Sequence, residues 1–209
     1  MPPVSPPFCV FPIVPDSFSS IMKVVMAVGE VRPPQPVKLF IATLYEDPEV
    51  LVRLLPRLTE RLGDIEWQSD PIPFTYTDYY RDIGERLLRV FLVFRELVDP
   101  GILPEVKLFT NELEKSTADA THPRRINLDP GYFDGGKIVL ATTKNFSHRV
   151  YIGRGIYAEA TIKWEKGDFR PFPYTYPDYQ SEAYRPVLRK IRELYRASLS
   201  ALSSNPKSA

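Results

Sequence analysis

The apolar residues fall into a few distinct patterns. Leu39–Tyr45 is continuous and apolar, as in a strand buried on both faces. Asp47-Pro48 reads as an N-cap and first helical position. Leu51, Leu54, Leu55, Leu58 and Leu62 recur at helical spacing up to Gly63, a natural C-terminal stop, and Pro56 predicts a kink inside this helix. Ile65 to Phe74 predicts a strand whose proline-bearing end suits a sheet edge. Leu87–Phe94 is β-branched and aromatic, which favours strand. Helix is the alternative there, because Leu87, Phe91, Phe94 and Val98 also have helical spacing. Asp99-Pro100 caps a clearer helix through Val106, Phe109 and Leu113, and 116–123 is a polar loop.

Strict alternation follows. Ile126 and Leu128 point one way, Arg125, Asn127 and Asp129 the other. His148, Val150 and Ile152 share a face opposite Arg149 and Tyr151. Ile156, Ala158, Ala160, Ile162 and Trp164 form an apolar face, with Tyr157, Glu159, Thr161 and Lys163 opposite. Arg154-Gly155 suits a hairpin turn between the last two strands. Pro130–Lys144 supports either reading: Asp129-Pro130 resembles a helix start, whereas Ile138-Val139 and Thr142-Thr143 favour strand. Glu182–Leu202 is an amphipathic helix with Val187, Leu188, Ile191, Leu194, Tyr195 and Leu199 inward and five Arg or Lys residues outward. The expected fold is α+β: a mostly antiparallel sheet with three helices near 48–62, 100–117 and 182–202. Residues 37–202 form a single globular domain, with 203–209 a frayed tail.

Parts of the pattern occur twice. Pro71–Tyr79 and Pro171–Tyr179 both read Pro-x-Pro-aromatic-Thr-Tyr-x-Asp-Tyr. At nearly the same offset, Lys38–Thr43 echoes Lys137–Thr142, and Ile65-Glu-Trp67 echoes Ile162-Lys-Trp164. Two similar halves around a pseudo-two-fold axis would explain this, as would coincidence in a chain rich in Tyr, Thr and Pro.

Composition removes several function classes. The 209 residues carry a formal net charge of +1, which gives no basic field for nucleic acid or an anionic membrane. One cysteine, Cys9, excludes an internal disulfide, and two histidines exclude a His-rich metal cluster. No apolar run reaches the length of a membrane span, so the cytoplasm is the default compartment. Nine of the 22 prolines lie in residues 1–36, which reads as a disordered arm. Met22 and Met26 offer alternative starts, and residues 1–25 are expected to be dispensable.

Seven ordered motifs resemble one prokaryotic family: Thr77–Tyr80, Lys107–Glu112, Asn127–Tyr132, Leu140–Lys144, His148–Tyr151, Gly155–Glu159 and Thr175–Tyr179. It is the domain-of-unknown-function family numbered 4416, and the similarity runs from about Val37 to about Tyr179. The resemblance implies no established activity. Some members bear a GTP-binding label, but this sequence has no Gly-x4-Gly-Lys-Ser/Thr loop.

The candidate chemistry lies on the polar sheet face. Arg125, Asn127, Arg149, Tyr151 and Tyr157 are candidate ligand-binding residues, because arginines bind phosphate or carboxylate through paired donors. Asp129 and Glu159 are candidate bases or Mg²⁺ ligands, and His148 a candidate acid or base. These residues point to a small phosphate-bearing, nucleotide-like ligand. The same alternation also describes a solvated face of exposed ion pairs, in which Arg149→Ala would cost at most about 1 kcal/mol. Asp78 and Asp178 suit turn-stabilising roles beside packed tyrosines. The other function class is a non-catalytic interaction module, such as a homodimer using the tyrosine-rich turns. The sequence leaves the oligomeric state open.

Overall fold

The computed structural model describes residues 29–204. The expectations about residues 1–25 and most of the frayed tail lie outside them. The chain divides into Met1–Pro33 and Pro34–Ala209, and every element below belongs to the second unit. Its elements are β1 (Val37–Tyr45), α1 (Pro48–Leu62), β2 (Ile65–Gln68), β3 (Ile72–Pro73), β4 (Leu88–Val98), α2 (Leu103–Lys115), β5 (Ile126–Phe133), β6 (Lys137–Thr142), β7 (Val150–Gly153), β8 (Ile156–Glu165), β9 (Asp168–Pro171) and α3 (Arg185–Ser204). All nine strands among the described residues join one sheet of order β2-β4-β1-β5-β6-β8-β7, with β3 also on β4 and β9 also on β8. Every pairing is antiparallel. The fold is therefore α+β with a mostly antiparallel sheet and three helices.

Alternation along the strands sorts side chains between two layers. Phe40, Ala42, Phe91, Val93 and Phe133 pack under Val187, Leu188, Ile191 and Tyr195 of α3. Leu39, Ile41, Val90, Leu92, Ile126 and Leu128 face Leu51, Leu54 and Leu58 of α1 and Val106 and Leu113 of α2. Central β1 is covered on both sides, and all nine of its residues are buried. Lys38 lies in that run at 0% exposure. Its ammonium donates to Glu66 Oε1 (2.7 Å), the Arg95 carbonyl (2.8 Å) and Ser198 Oγ on α3 (2.7 Å). Three acceptors match the three donors of an ammonium, so the burial leaves nothing unpaired.

Local chemistry sets the element ends. Asp47 Oδ1 accepts from the Glu49 amide at 3.0 Å and caps α1, which continues through Pro56 to Gly63 at φ 88°. Leu88–Val98 is strand, as its β-branched and aromatic content favours. Asp99 caps a short 3-10 turn, Pro100–Ile102, that leads into α2. Ile65–Phe74 is broken into β2 and β3, both on the β4 edge. Arg154-Gly155 forms the expected hairpin turn, with φ of 56° and 79°, the pattern of a type I′ turn.

Pro130–Lys144 resolves as the β5–β6 hairpin, and Asp129-Pro130 lies within a strand rather than starting a helix. The β5–β6 ladder covers only Gly131–Phe133 against Ile138–Leu140. A Cβ on Gly131 would sit 2.6 Å from both Leu140 Cδ2 and the Val139 carbonyl, so only glycine allows this approach. Beyond it the strands part, and that gap positions the candidate site.

One expectation fails and another is not confirmed. In β8 the pairing steps from Ile162 to Ala160 while β6 steps from Ile138 to Val139, which is a bulge of one residue. Ile156 therefore packs with Val139 and Ala141 on the α2 side, whereas Ile162 and Trp164 pack on the α3 side. The single apolar face of 156–164 is split. Two similar halves are not confirmed either. β4 separates β1 from β2, whereas β6 and β8 are direct neighbours. Lys38 is buried while its counterpart Lys137 is exposed.

Candidate functional site

Where β5 and β6 separate, the backbone of Leu128 has no partner on the β6 side. Helix α2 supplies one instead. Glu114 Oε1 accepts from the Leu128 amide at 2.6 Å, and Lys107 Nζ donates to the Leu128 carbonyl at 2.9 Å. Buried backbone groups need partners, so these two charged side chains close the open edge of β5. Lys107, Asn111 and Glu114 sit at i, i+4 and i+7, one polar stripe on a helix that otherwise packs apolar residues.

The gap opens into a cavity of about 670 Å³, within the range typical of small-molecule sites. Its floor is β5 (Asn127, Asp129), β4 (Arg89) and the α2 stripe. One wall is Leu140–Lys144, Phe146, Arg149 and Glu159. The other two are the repeated segments, Phe74–Tyr80 and Tyr176–Tyr179.

A chain of alternating charge crosses the floor. Asp178 Oδ2 lies 3.5 Å from Arg89, which lies 3.6 Å from Asp129. Asp129 lies 3.4 Å from Lys107, which lies 3.9 Å from Glu114. Glu114 lies 3.6 Å from Arg124, which meets Asp82 at 2.8 Å. Arg89 also donates to the Tyr184 hydroxyl (3.1 Å) and the Ala42 carbonyl (3.2 Å). Burial raises the carboxyl pKa of Glu114 despite Lys107, and that of Asp178 despite Arg89. Burial likewise raises the phenol pKa of Tyr80 and Tyr179, so both hydroxyls stay protonated. The Tyr179 hydroxyl is buried with no hydrogen-bond partner among the described residues.

Arg149 organises the outer wall. Its Nε donates to Glu159 Oε2 at 2.7 Å, its Nη1 to the Lys144 carbonyl at 3.0 Å and its Nη2 to the Tyr176 hydroxyl. Both partners of the Arg149–Glu159 pair are 2% exposed at the side chain. Glu159 Oε2 also meets His148 Nε2 at 3.3 Å, and its Oε1 accepts from Thr161 at 3.3 Å. Lys144 Nζ donates to the Tyr79 hydroxyl at 2.6 Å across the mouth, 3.8 Å from that ring's centroid.

Of the residues expected at the site, Asn127, Asp129, Arg149 and Glu159 line this one cavity. Arg125 does not. It precedes β5 and pairs with Asp47 (3.3 Å) and Asp119 (3.7 Å) in a separate groove beside α1. Tyr151 and Tyr157 are outside as well. They pack against each other, centroids 5.4 Å apart, near the β7 edge. The apolar face expected of His148, Val150 and Ile152 is incomplete, because β7 is an edge strand and Val150 is 69% exposed. His148 instead stacks on Tyr174 at 4.3 Å and holds Glu159 from behind the wall. Each candidate base already has protein partners. Among the described residues no three His, Cys, Asp or Glu side chains are grouped to hold a metal ion. Asp129 and Glu159 each face a cation, which does not suit Mg²⁺. The pair Arg149–Glu159 is buried, so the small cost expected for Arg149→Ala is replaced by about 3–5 kcal/mol.

Sequence reasoning missed Arg89, Lys107, Glu114, Arg124 and Lys144. Three had visible signals: Arg89 is the one charge within the apolar run Leu87–Phe94, and Lys107 and Glu114 belong to a polar stripe at helical spacing. A nine-stranded antiparallel sheet whose two halves part around an aromatic, charge-lined cavity defines an α+β protein with a ligand-sized site. The signature of the family described as Domain of unknown function (DUF4416) matches residues 35–195, and the chain belongs to that family. No curated protein and no solved structure matches the chain. Among the described residues, no helix is long and apolar enough to cross a membrane.

Proposed function

We propose that this protein binds a small phosphate-bearing, nucleotide-like ligand in the cavity between β5 and β6. The observation that carries the reading is the cavity's size together with its lining. A volume of about 670 Å³ is bounded by rings from both repeated segments and by positively charged side chains. The orphaned Tyr179 hydroxyl supports it, because a buried polar group without a partner calls for an explanation. Binding rather than catalysis is favoured, since the carboxylates of the site are engaged by cations, hydroxyls and backbone amides.

An interaction module is the second reading. It is favoured by the exposure of Tyr79, Phe146 and Tyr176. These three surround the cavity mouth rather than a flat patch, which suits gripping a small molecule better than covering a partner. The test is thermal denaturation against nucleotides and sugar phosphates, with the association state measured in parallel. A bound ligand at a hundredfold excess over Kd adds about 2.7 kcal/mol, a rise of several degrees. No shift with any phosphate ester, together with a dimer abolished by Tyr79→Ala or Tyr176→Ala, would replace ligand binding with the interaction module.

A further inference from the structure

Resting on the binding reading above, we infer that the ligand carries one phosphate group rather than a di- or triphosphate chain, with Lys144 holding that phosphate and the Tyr176 ring stacking the ligand's planar part. Five cations line the cavity (Arg89, Lys107, Arg124, Lys144, Arg149) against four carboxylates (Glu114, Asp129, Glu159, Asp178). Four of the cations lie within salt-bridge distance of a carboxylate: Arg89 at 3.5 Å, Lys107 at 3.4 Å, Arg124 at 2.8 Å and Arg149 at 2.7 Å. Lys144 has none among the described residues. The site therefore offers one uncommitted positive charge. A triphosphate would bring about four negative charges into a partly desolvated space, without a grouped set of carboxylates among the described residues to hold a compensating metal.

Lys144 is also held in place. Its amide donates to Thr142 Oγ1 at 3.2 Å and its carbonyl accepts from Arg149 at 3.0 Å. Its ammonium rests on the Tyr79 hydroxyl and ring, a partner that a phosphate oxygen outcompetes because a hydrogen bond between two opposite charges is the stronger. Tyr176 is 44% exposed, and its hydroxyl is tied to the same Arg149. The other aromatic residues of the lining each have a ring or cation packed against them. Tyr176 has neither among the described residues, so its ring is free to stack. Arg149 thus fixes the separation between the anion-holding and ring-holding residues while its own charge is spent on Glu159.

The test is calorimetric titration of a nucleoside and its 5′-mono-, di- and triphosphates, with and without Mg²⁺, into wild type, Lys144→Gln, Lys144→Arg and Tyr176→Ala. The melting temperature of each variant establishes that it folds. The monophosphate should bind roughly ten- to a hundredfold tighter than the nucleoside, with no further gain from added phosphates. Lys144→Gln should erase that advantage without weakening the nucleoside, and Lys144→Arg should keep most of it. Tyr176→Ala should weaken all members roughly tenfold or more. Tightest binding by the triphosphate, or an advantage that survives Lys144→Gln, overturns the inference and leaves the binding reading standing. Binding by no member of the series overturns both.

Discussion

Segments 71–79 and 171–179 share a sequence pattern, and both line the cavity, yet the threonine, the aspartate and the final tyrosine are exposed in the first and buried in the second. The Asp78 side chain is 79% exposed and pairs with Arg81 at 2.9 Å. The Asp178 side chain is 8% exposed and faces the fully enclosed Arg89. Tyr79 is 57% exposed at the mouth, whereas Tyr179 is 3% exposed against Phe91 and Tyr184. Thr75 faces solvent. Buried Thr175 donates to the Thr161 carbonyl and accepts from the Phe172 amide at 2.7 Å. The pattern specifies a turn in each place. Burial is set by what lies above: the first segment joins β3 to β4 at the sheet edge, and the second passes between β9 and α3 under Tyr184. Both copies reach the rim, through Tyr79 and Tyr176, but only the second also anchors its aspartate and final tyrosine in the core.

The sharpest way to break this comparison is to remove the two aspartates. Asp178→Ala should cost about 3 kcal/mol, because it leaves a buried guanidinium short of a partner, with Asp129 still 3.6 Å away on the other side. Asp78→Ala should stay within about 0.5 kcal/mol, as exposed pairs do. Urea denaturation of both variants measures the difference, and equal costs would show that the segments are equivalent.

The threonines give a smaller contrast. Thr175→Val removes a buried hydroxyl that both donates and accepts, and should cost about 1–3 kcal/mol. Thr75→Val should fall within about 0.5 kcal/mol. Melting curves at one pH compare them directly, and a costly Thr75→Val would place that residue in an unrecognised contact.

A pH series separates breaking the Asp178–Arg89 pair from neutralising it. Burial raises the Asp178 carboxyl pKa above the ordinary aspartate value of 3.8. The folded state therefore binds this proton more tightly than the unfolded chain. Its contribution is fully present below 3.8 and is lost as pH rises from there through the raised value. Over that window wild type should lose stability relative to Asp178→Asn, which keeps the shape and carries no charge. Asp78→Asn is the control. Parallel curves for wild type and Asp178→Asn would contradict the burial argument. The smallest effect should come from Tyr79→Phe, which loses one exposed hydrogen bond to Lys144 and should change stability by less than about 0.5 kcal/mol.

The sheet and helices were legible because their signals are local. Asp47-Pro48 and Gly63 bound α1, the Leu39–Tyr45 run is β1, and Arg154-Gly155 makes its turn. Local pattern could not show the parting of β5 and β6, since that depends on Gly131 meeting Leu140 across strands. Nor could it show the bulge in β8, which moves Ile162 and Trp164 to the other face. The site was half legible for the same reason. Asn127, Asp129 and Glu159 lie on strands as expected, but Arg125 lies before its strand begins and turns to Asp47, and Arg149 reaches the cavity from the turn before β7. Arg89, Lys107 and Glu114 join the cavity only through tertiary contacts from β4 and α2.

The central claim is that the cavity between β5 and β6 is a ligand site. The most direct measurement is an amide chemical-shift titration of the labelled protein with a nucleoside monophosphate. The account predicts saturable shifts at Asn127, Asp129, Thr143, Lys144, Tyr176 and the Tyr79 turn, with the groove around Arg53, Arg57 and Arg125 unmoved. Shifts confined to that groove, or none at saturating concentration, would contradict it.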